Sequence, residues 1–333
     1  MSTKGSLVLG IETSCDDTAV ALVTPEGEVI AACAASQAML HTNYGGVYPE
    51  LASRAHIDKI IPTVRTVMAN AGALPGDLSA IGVTRGPGLI GSLLVGLNTA
   101  CGLGQGWGVP VVGVNHLIGH LRSADLEERR IRYPAMVLLV SGGHTLLARM
   151  AGPTEIALVG STFDDSVGEA YDKVARMLGL GYPGGPPVSD LAFKGTAAIR
   201  FPRPLHKRGL DFSFSGLKSA VERYLASTDG FSKADVAASF VEACVDVLMS
   251  KCHDALRQFP SASLVVVGGV AASPHLRAAA KDLCAEMGVE LCLPPLRWAT
   301  DNGAMIGLAT WDYLALGIDN PLEPVTSLGM ADY

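Results

Sequence analysis

The chain has 333 residues, 49% of them apolar and only 17% charged, which excludes disorder as the dominant state and leaves room for roughly two domains of about 150 residues each. Twenty-five Lys and Arg against 32 Asp and Glu give a formal charge of −7. That balance argues against a nucleic-acid binder working through its total charge, since such affinity comes from Lys and Arg set on phosphates.

The first residues do not read as a signal peptide, because the apolar run is short and passes straight into Glu12, Asp16 and Asp17. Leu7–Ile11 reads as an apolar strand, followed by the polar turn Glu12–Asp17 and a second strand, Thr18–Val23. Pro49–Asn70 has helical spacing, with apolar residues at Leu51, Ile57, Ile61, Val64 and Met68. Ile81–Thr84 and Val111–Val114 read as buried strands flanking a helix in Ile90–Cys101. Residues 86–114 carry no Asp, Glu, Lys or Arg, but nine glycines and two prolines break the run. It therefore reads as buried helix, turn and strand rather than a membrane span. Ala135–Val140 opens the second half as another apolar strand, and Ser141–Thr145 turns it into Leu146–Met150. Asp165–Leu178 is a helix ended by Gly179, and Lys233–Phe259 is a longer one. Leu264–Val267 is a β-branched strand running into Gly268-Gly269, and Ser273-Pro274 starts a further helix.

Strand, polar turn and strand thus recur, once at the opening of each half. The alternation predicts α/β lobes with covered sheets, and ligands are expected between the lobes, where Gly-rich turns meet helix starts. The expected boundaries are 1–132 and 133–302, with a terminal helix over 303–333 able to pack back on the first lobe.

Seven scattered cysteines form no C-x-x-C, so reduced thiols in a cytoplasmic protein are expected. His116 and His120 stand at i, i+4 and share a helix face, where one metal can take a nitrogen from each. Leu117 occupies the place of the general-base Glu in H-E-x-x-H, which weakens a protease reading. A third ligand has to come from elsewhere, and Asp301, beside Gly303 in a turn before a helix, is the best candidate by character. Two histidines and a carboxylate suit iron(II) or zinc. The turns Ser141-Gly142-Gly143, Gly184-Gly185 and Gly268-Gly269 can offer backbone N–H groups to an anion. Glu12, Asp16 and Asp17 read either as a solvated turn or as a site that places a metal, a water or a nucleophile. Asp164 to Arg176 reads as a charged helix face, with Glu169/Lys173 and Asp172/Arg176 as i, i+4 pairs. Residues 194–223 carry Lys194, Arg200, Arg203, Lys207, Arg208, Lys218 and Arg223 against Asp211 and Glu222, a local +5 that leaves −12 elsewhere. Phe201, Phe212 and Phe214 lie among them, so the island reads as a nucleic-acid track or as a basic surface loop over buried aromatics.

Taken together, the motifs Gly10–Thr18, His41–Val47, Pro49–Arg54, Gly86–Leu89, Asn115–His120, Leu139–Thr145, Tyr182–Pro186, Asp211–Lys218 and Thr300–Met305 are collinear from about residue 7 to 310. They resemble the bacterial tRNA N6-adenosine threonylcarbamoyltransferase family, the catalytic subunit, formerly labelled O-sialoglycoprotein endopeptidase. The resemblance implies two duplicated actin-like, ribonuclease-H-like lobes with a ligand cleft between them. It implies transfer of threonylcarbamoyl from L-threonylcarbamoyladenylate to N6 of adenosine 37, next to the anticodon, in tRNAs reading ANN codons, with release of AMP. The implied metal ligands are His116, His120 and Asp301, with iron(II) favoured over zinc. The implied adenylate contacts are Leu139, Val140, Ser141, Gly142, Gly143, Asp172 and Gly185, and the implied catalytic residues are Asp16 and Glu12. Ser273 stands where the family commonly has Asn, and Ser189 where relatives are often acidic; Ser273 is kept as a ligand contact. Implied partners are tRNA, a degenerate paralogous subunit, an ATPase and an upstream threonylcarbamoyl-AMP synthase, with no membrane. An actin-fold small-molecule kinase, a metalloprotease and a non-catalytic partner subunit are the alternatives. The paralogue lacks the metal histidines that this chain keeps.

Overall fold

In the computed structural model, which describes residues 5–42, 44–128, 131–206 and 208–332, the apolar run Leu7–Glu12 forms β1 and is buried from Val8 onward. It turns into β2 (Asp17–Val23) in an antiparallel pair, with Gly10 opposite Ala21 and Glu12 opposite Ala19. β3 (Val29–Ser36) adds antiparallel to β2, and α1 (Ala38–Thr42) and α2 (Pro49–Ala71) follow. Pro49 opens α2, where its missing N–H costs nothing, and Gly72 ends it at φ +61°. β4 (Leu78–Gly86), α3 (Ile90–Trp107) and β5 (Val111–Asn115) form a βαβ unit parallel to β1, and α4 (His116–Arg122) continues directly from β5. The sheet order is β3-β2-β1-β4-β5.

The second sheet repeats this plan. β6 (Ala135–Val140), β7 (Thr145–Met150) and β8 (Ile156–Ser161) form an antiparallel meander. α5 (Val167–Met177), α6 (Gly185–Ala192), α7 (Ser215–Ser227) and α8 (Lys233–Gln258) follow. β9 (Ser263–Val267) returns parallel to β6, and after α9 (Pro274–Met287) comes β10 (Glu290–Cys292), parallel to β9. The order β8-β7-β6-β9-β10 matches β3-β2-β1-β4-β5 strand for strand. Its core gathers Tyr171, Phe201, Phe212, Phe214 and Phe240 against the sheet.

The chain divides into two compact units, Met1–Arg130 with Pro294–Tyr333, and Ile131–Leu293. The segment carrying Asp301 therefore belongs with the first unit. There α10 (Gly303–Leu316) packs on β1 and β2 so closely that a Cβ on Gly10 would overlap the backbone of Gly303 and Gly307. Only glycine fits at such a backbone approach. Three expected boundaries shift, and the helix expected over Ile90–Cys101 runs on to Trp107. The terminal helix stops at Leu316, where Gly317 takes φ +66°, and 317–332 is irregular. The helix expected from Asp165 starts at Val167, because the Ser166 side chain caps it by accepting from Glu169 N. Residues 86–114 are the end of β4, α3 and most of β5, and among the described residues no helix is long and apolar enough to cross a membrane. All seven cysteines are free.

Candidate metal centre and nucleotide turns

α4 starts where β5 ends because Asn115 is an N-cap, its Oδ1 accepting from Leu117 N at 2.9 Å. The first helical residue is then His116, and His120 lies one turn further on the same face. Asn302 caps α10 in the same way, accepting from Met305 N at 2.8 Å, and so holds the preceding Asp301. Asp301 Oδ1 lies 3.1 Å from His120 Nε2 and 3.7 Å from His116 Nε2. One donor atom from each of the three residues falls within 4.8 Å of the others. All three belong to the first unit. The His120 ring is fully buried, and neither nitrogen makes a hydrogen bond. A buried imidazole in that state is costly unless something else takes its lone pair. The donor set and this orphaned ring fit a divalent metal.

Glu12 stands behind His116. Its Oε2 is 2.9 Å from His116 Nδ1 and accepts from Thr84 Oγ1 at 2.6 Å, while Oε1 accepts from Ser14 N at 2.5 Å. Glu12 is fully buried and is therefore not in the solvated turn. Burial alone would raise its pKa, but the His116 ring, by charge and hydrogen bond, holds it below the ordinary value. Burial lowers His116, and Glu12 and then Asp301 bring it up to about 9. With Nδ1–H donating to Glu12, His116 presents Nε2 to Asp301. A carboxylate that orients a histidine in this way fixes its tautomer as a ligand.

The turn itself is closed from several sides. Thr13 Oγ1 donates to Ser92 O at 2.9 Å, Ser92 Oγ to Cys15 O at 3.2 Å, and Leu89 N to Ser14 O at 2.8 Å. His56 bridges Cys15 O at 3.0 Å and Thr18 Oγ1 at 2.7 Å; burial depresses its pKa, so the neutral ring donates from Nε2 and accepts at Nδ1. Burial, with Asp16 next to it, drives the Cys15 thiol far up, which leaves it unfit as a nucleophile. Asp16 is half-buried on this rigid turn. The role of His56 was not visible in the sequence, where it is one polar residue on an amphipathic helix.

In the second unit α5 is the common neighbour of the expected nucleotide turns. Leu139 and Val140 end β6 fully buried, and Ser141 closes the turn, its N–H donating to His144 O at 2.8 Å and its Oγ accepting from His144 N at 3.1 Å. Gly142 and Gly143 are exposed, with open space where a Cβ would stand. Ser166 Oγ, at the start of α5, donates to Gly142 O at 2.5 Å. One turn into α5, Asp172 Oδ1 accepts from Gly184 N at 2.7 Å and ties down the turn that leads to Gly185. Gly268, at φ +93°, abuts the Val140 carbonyl, so the turn after β9 lies against the end of β6. Ser273 is buried and precedes α9 without capping it, and the carbonyl of buried Ser189 lies 3.3 Å from His275 Nε2.

The basic island is partly neutralised within the fold. Arg203 pairs with Glu242 at 2.8 Å and Asp246 at 2.7 Å, and Lys218 with Asp165 at 3.1 Å. Lys207 lies outside the described residues. Lys194, Arg200, Arg208 and Arg223 are exposed. Phe201, Phe212 and Phe214 are buried, so they offer no stacking surface. Asp164 accepts from Ser213 Oγ, Phe214 N and Ser215 Oγ and so holds the Asp211–Lys218 motif. Lys251, fully buried in α8, donates to the carbonyls of Leu205, Arg208 and Gly209 at 2.6–2.9 Å and props up the loop.

Asp17, next to Asp16, has one oxygen buried without a hydrogen-bond partner. Burial is the main cause that lifts its pKa from 3.8 to about 6; Asp16 and Asp301 add to it, and bonds from Ser36 and Gln37 oppose it. Between those pH values the folded chain holds a proton that the unfolded chain has lost. Stability should therefore fall as pH rises from about 4 to 6, on the order of 2–3 kcal/mol for this group. Asp17→Asn should remove that fall and be the more stable protein above pH 6. Parallel denaturant midpoints for both proteins across that range would refute the assignment.

A family model described as TsaD, tRNA N6-adenosine threonylcarbamoyltransferase, matches residues 28–328. A curated relative, the tRNA N6-adenosine threonylcarbamoyltransferase of Burkholderia ambifaria, is 49% identical over 314 residues, 91% of each chain. Among solved structures, component A of the (R)-2-hydroxyglutaryl-CoA dehydratase of Acidaminococcus fermentans is similar at TM-score 0.58 and 18% identity, over 93% of this chain and 100% of that one. HypF of T. kodakarensis is similar at TM-score 0.62 and 15% identity, over 94% of this chain and 48% of that one. These two likenesses bear on the fold alone, an α/β fold of two duplicated actin-like lobes. The match of sequence along almost the whole length carries the rest: the chain belongs to the tRNA N6-adenosine threonylcarbamoyltransferase family.

Proposed function

We propose that the chain moves the threonylcarbamoyl group of L-threonylcarbamoyladenylate to N6 of adenosine 37 in tRNAs that read ANN codons. The observation that carries this reading is the convergence of His116, His120 and Asp301 on one point, with Glu12 fixing the first ring from behind. Those three residues hold one divalent metal, iron(II) in preference to zinc. When bound, the metal supplies Lewis-acid polarisation of the group being transferred, an effect worth several kcal/mol in general.

The remaining work falls to the chain's own residues. Backbone N–H groups of Gly142 and Gly143, in the turn that Ser141 closes and with Leu139 and Val140 behind it, receive the adenylate phosphate. Gly185 and Ser273 border the same nucleotide, and Asp172 keeps the Gly184–Gly185 turn in place. The N6 amine attacks the carbamoyl carbon, the new N–C bond forms, the C–O bond to the phosphate breaks, and AMP leaves. Asp16 orients the amine and accepts its proton. No covalent enzyme intermediate is required, because the adenylate is already a good leaving group. His116→Ala, or chelation of the metal, should abolish formation of threonylcarbamoyladenosine, read by mass spectrometry of tRNA nucleosides. The circular dichroism spectrum should stay intact. Full transfer by both preparations would eliminate the metal role.

tRNA meets the exposed cations of residues 194–223. Arg203 and Lys218 are spent on internal acids, so Arg200 and Arg208 carry the contact. The double variant Arg200→Ala/Arg208→Ala should bind tRNA more weakly and lower the slope of log affinity against log salt by about 1 per lost phosphate. An unchanged slope would reduce the island to a surface loop.

The paralogous subunit covers the exposed apolar stripe of α2 and α3, where Ile57, Ile61, Ile90 and Leu94 face solvent. The ATPase acts on that pair, and a threonylcarbamoyl-AMP synthase supplies the adenylate. Ile57→Asp/Ile61→Asp should abolish co-elution with the paralogue in size-exclusion chromatography; undiminished co-elution would place the contact elsewhere.

A further inference from the structure

β4 and β5 end side by side, with Gly86 paired to Asn115. Beyond α10 the chain runs back across these two ends. Asn320 Nδ2 donates to Gly113 O at 3.0 Å, and Val325 N donates to Arg85 O at 2.8 Å. A Cβ on Gly86 would overlap the Val325 carbonyl, so the segment lies directly on the strand. Met330 is buried, and Gly329 and Asp332 close a turn on each other. That turn presents two carbonyls, Gly329 O at 2.9 Å and Asp332 O at 2.5 Å, to Asn115 Nδ2.

Asn115 is fully buried and uses its whole amide. Its Oδ1 caps α4, and its Nδ2 holds the returning segment. A cap needs only an acceptor, which Ser or Asp supplies as well as Asn. Two further donors on the same group are what asparagine adds. The residue after this node is His116.

We propose that Val325–Asp332 is a positioning strap for the metal ligands. Through Asn115 it fixes the first turn of α4, and so the directions in which His116 and His120 point. The proposal rests on the metal reading given above. Asn115 and the strap lie outside the donor set of His116, His120 and Asp301, so their effect has to show in affinity and ligand geometry.

The probe is Co(II), measured by competition with a chelator and by its visible absorption in the protein. Two variants of the full chain are compared: one stopped after Thr326, and Asn115→Ser, which keeps a capping oxygen but cannot reach the strap carbonyls. Outer-shell changes of this kind weaken metal binding by roughly 10–100-fold. Each variant should lose Co(II) affinity on that scale with an altered spectrum, while its circular dichroism stays native. The double variant should be no weaker than the weaker single one, since both cut the same link. Co(II) affinity and spectrum unchanged in a folded variant would overturn the strap, and so would losses that simply multiply in the double variant. An intact chain that takes up no Co(II) would overturn the metal reading and the strap with it, an outcome distinct from the other two.

Discussion

A carboxylate shut away from water needs a partner for each lone pair, and Glu12 sets the terms for the residues around it. It ends β1, and what satisfies it comes from three directions: Thr84 on β4, the backbone of Ser14 in the following turn, and His116 at the start of α4. Leaving such a charge short of one partner costs about 3–5 kcal/mol. The strand ends and the helix that carries His116 and His120 are therefore locked in one arrangement. The same arrangement explains the stiffness of the turn that carries Asp16. Thr13, Cys15 and Ser14 are each hydrogen bonded to α3, α2 or the Gly88-Leu89 bend. A residue proposed to hold an amine and take its proton gains from such a support, because little is then lost to reorganisation.

How much of this could be read beforehand depended on whether the signal was local. β1, β2, β4, β6 and β9 are near-continuous apolar runs and were legible as buried strands. β3 and β8 were not. They are edge strands with partly exposed faces, and half of β3 is Ala, so continuous burial does not mark them. The α2 helix was legible, but its face was not. Ile57 and Ile61 look like core residues and face solvent, while His56 and Thr63 look like surface and are buried. Periodicity cannot tell a helix that packs on a polar turn from one that packs on a core. The H-x3-H pair gives its own geometry, since i and i+4 share a face. Glu12 and Asp301 are separated from it by about a hundred residues or more in sequence, so only the fold brings them in. Lys251 gave no signal at all, because a lysine on a helix normally reaches water.

The net charge shows the same limit. A count over residues 194–223 treats each cation as available, yet charges serve structure first when an acid is in reach. Arg203 is bound by two carboxylates from α8, and Lys218 and Lys173 converge on Asp165. The buried Lys251 ammonium is spent on three loop carbonyls. These cations shape the loop and keep it in one conformation. Those left exposed can meet a phosphate without breaking an internal pair. The cost of desolvating them is also lower than for a buried ion.

Duplication of the sheet did not duplicate the chemistry, and the two hairpins show why. Between β1 and β2 the turn is packed over by His56, Ser92 and Gly88, so its backbone groups are used internally. The half-buried Asp16 side chain is left to face a ligand. Between β6 and β7 the corresponding turn is Ser-Gly-Gly-His, and the space beside Gly142 and Gly143 is open. There the backbone itself is available, which suits an anion. The other divergence follows the fifth strand. β5 leads straight into α4 and its histidines. Its counterpart β10 has three residues and is followed, after Leu293, by Pro294, where the chain passes back to the first unit. A proline there has no N–H with which to extend the strand pairing. The chain leaves the second lobe with no counterpart of α4 there, and the returning segment brings Asp301 to the lobe that holds His116 and His120.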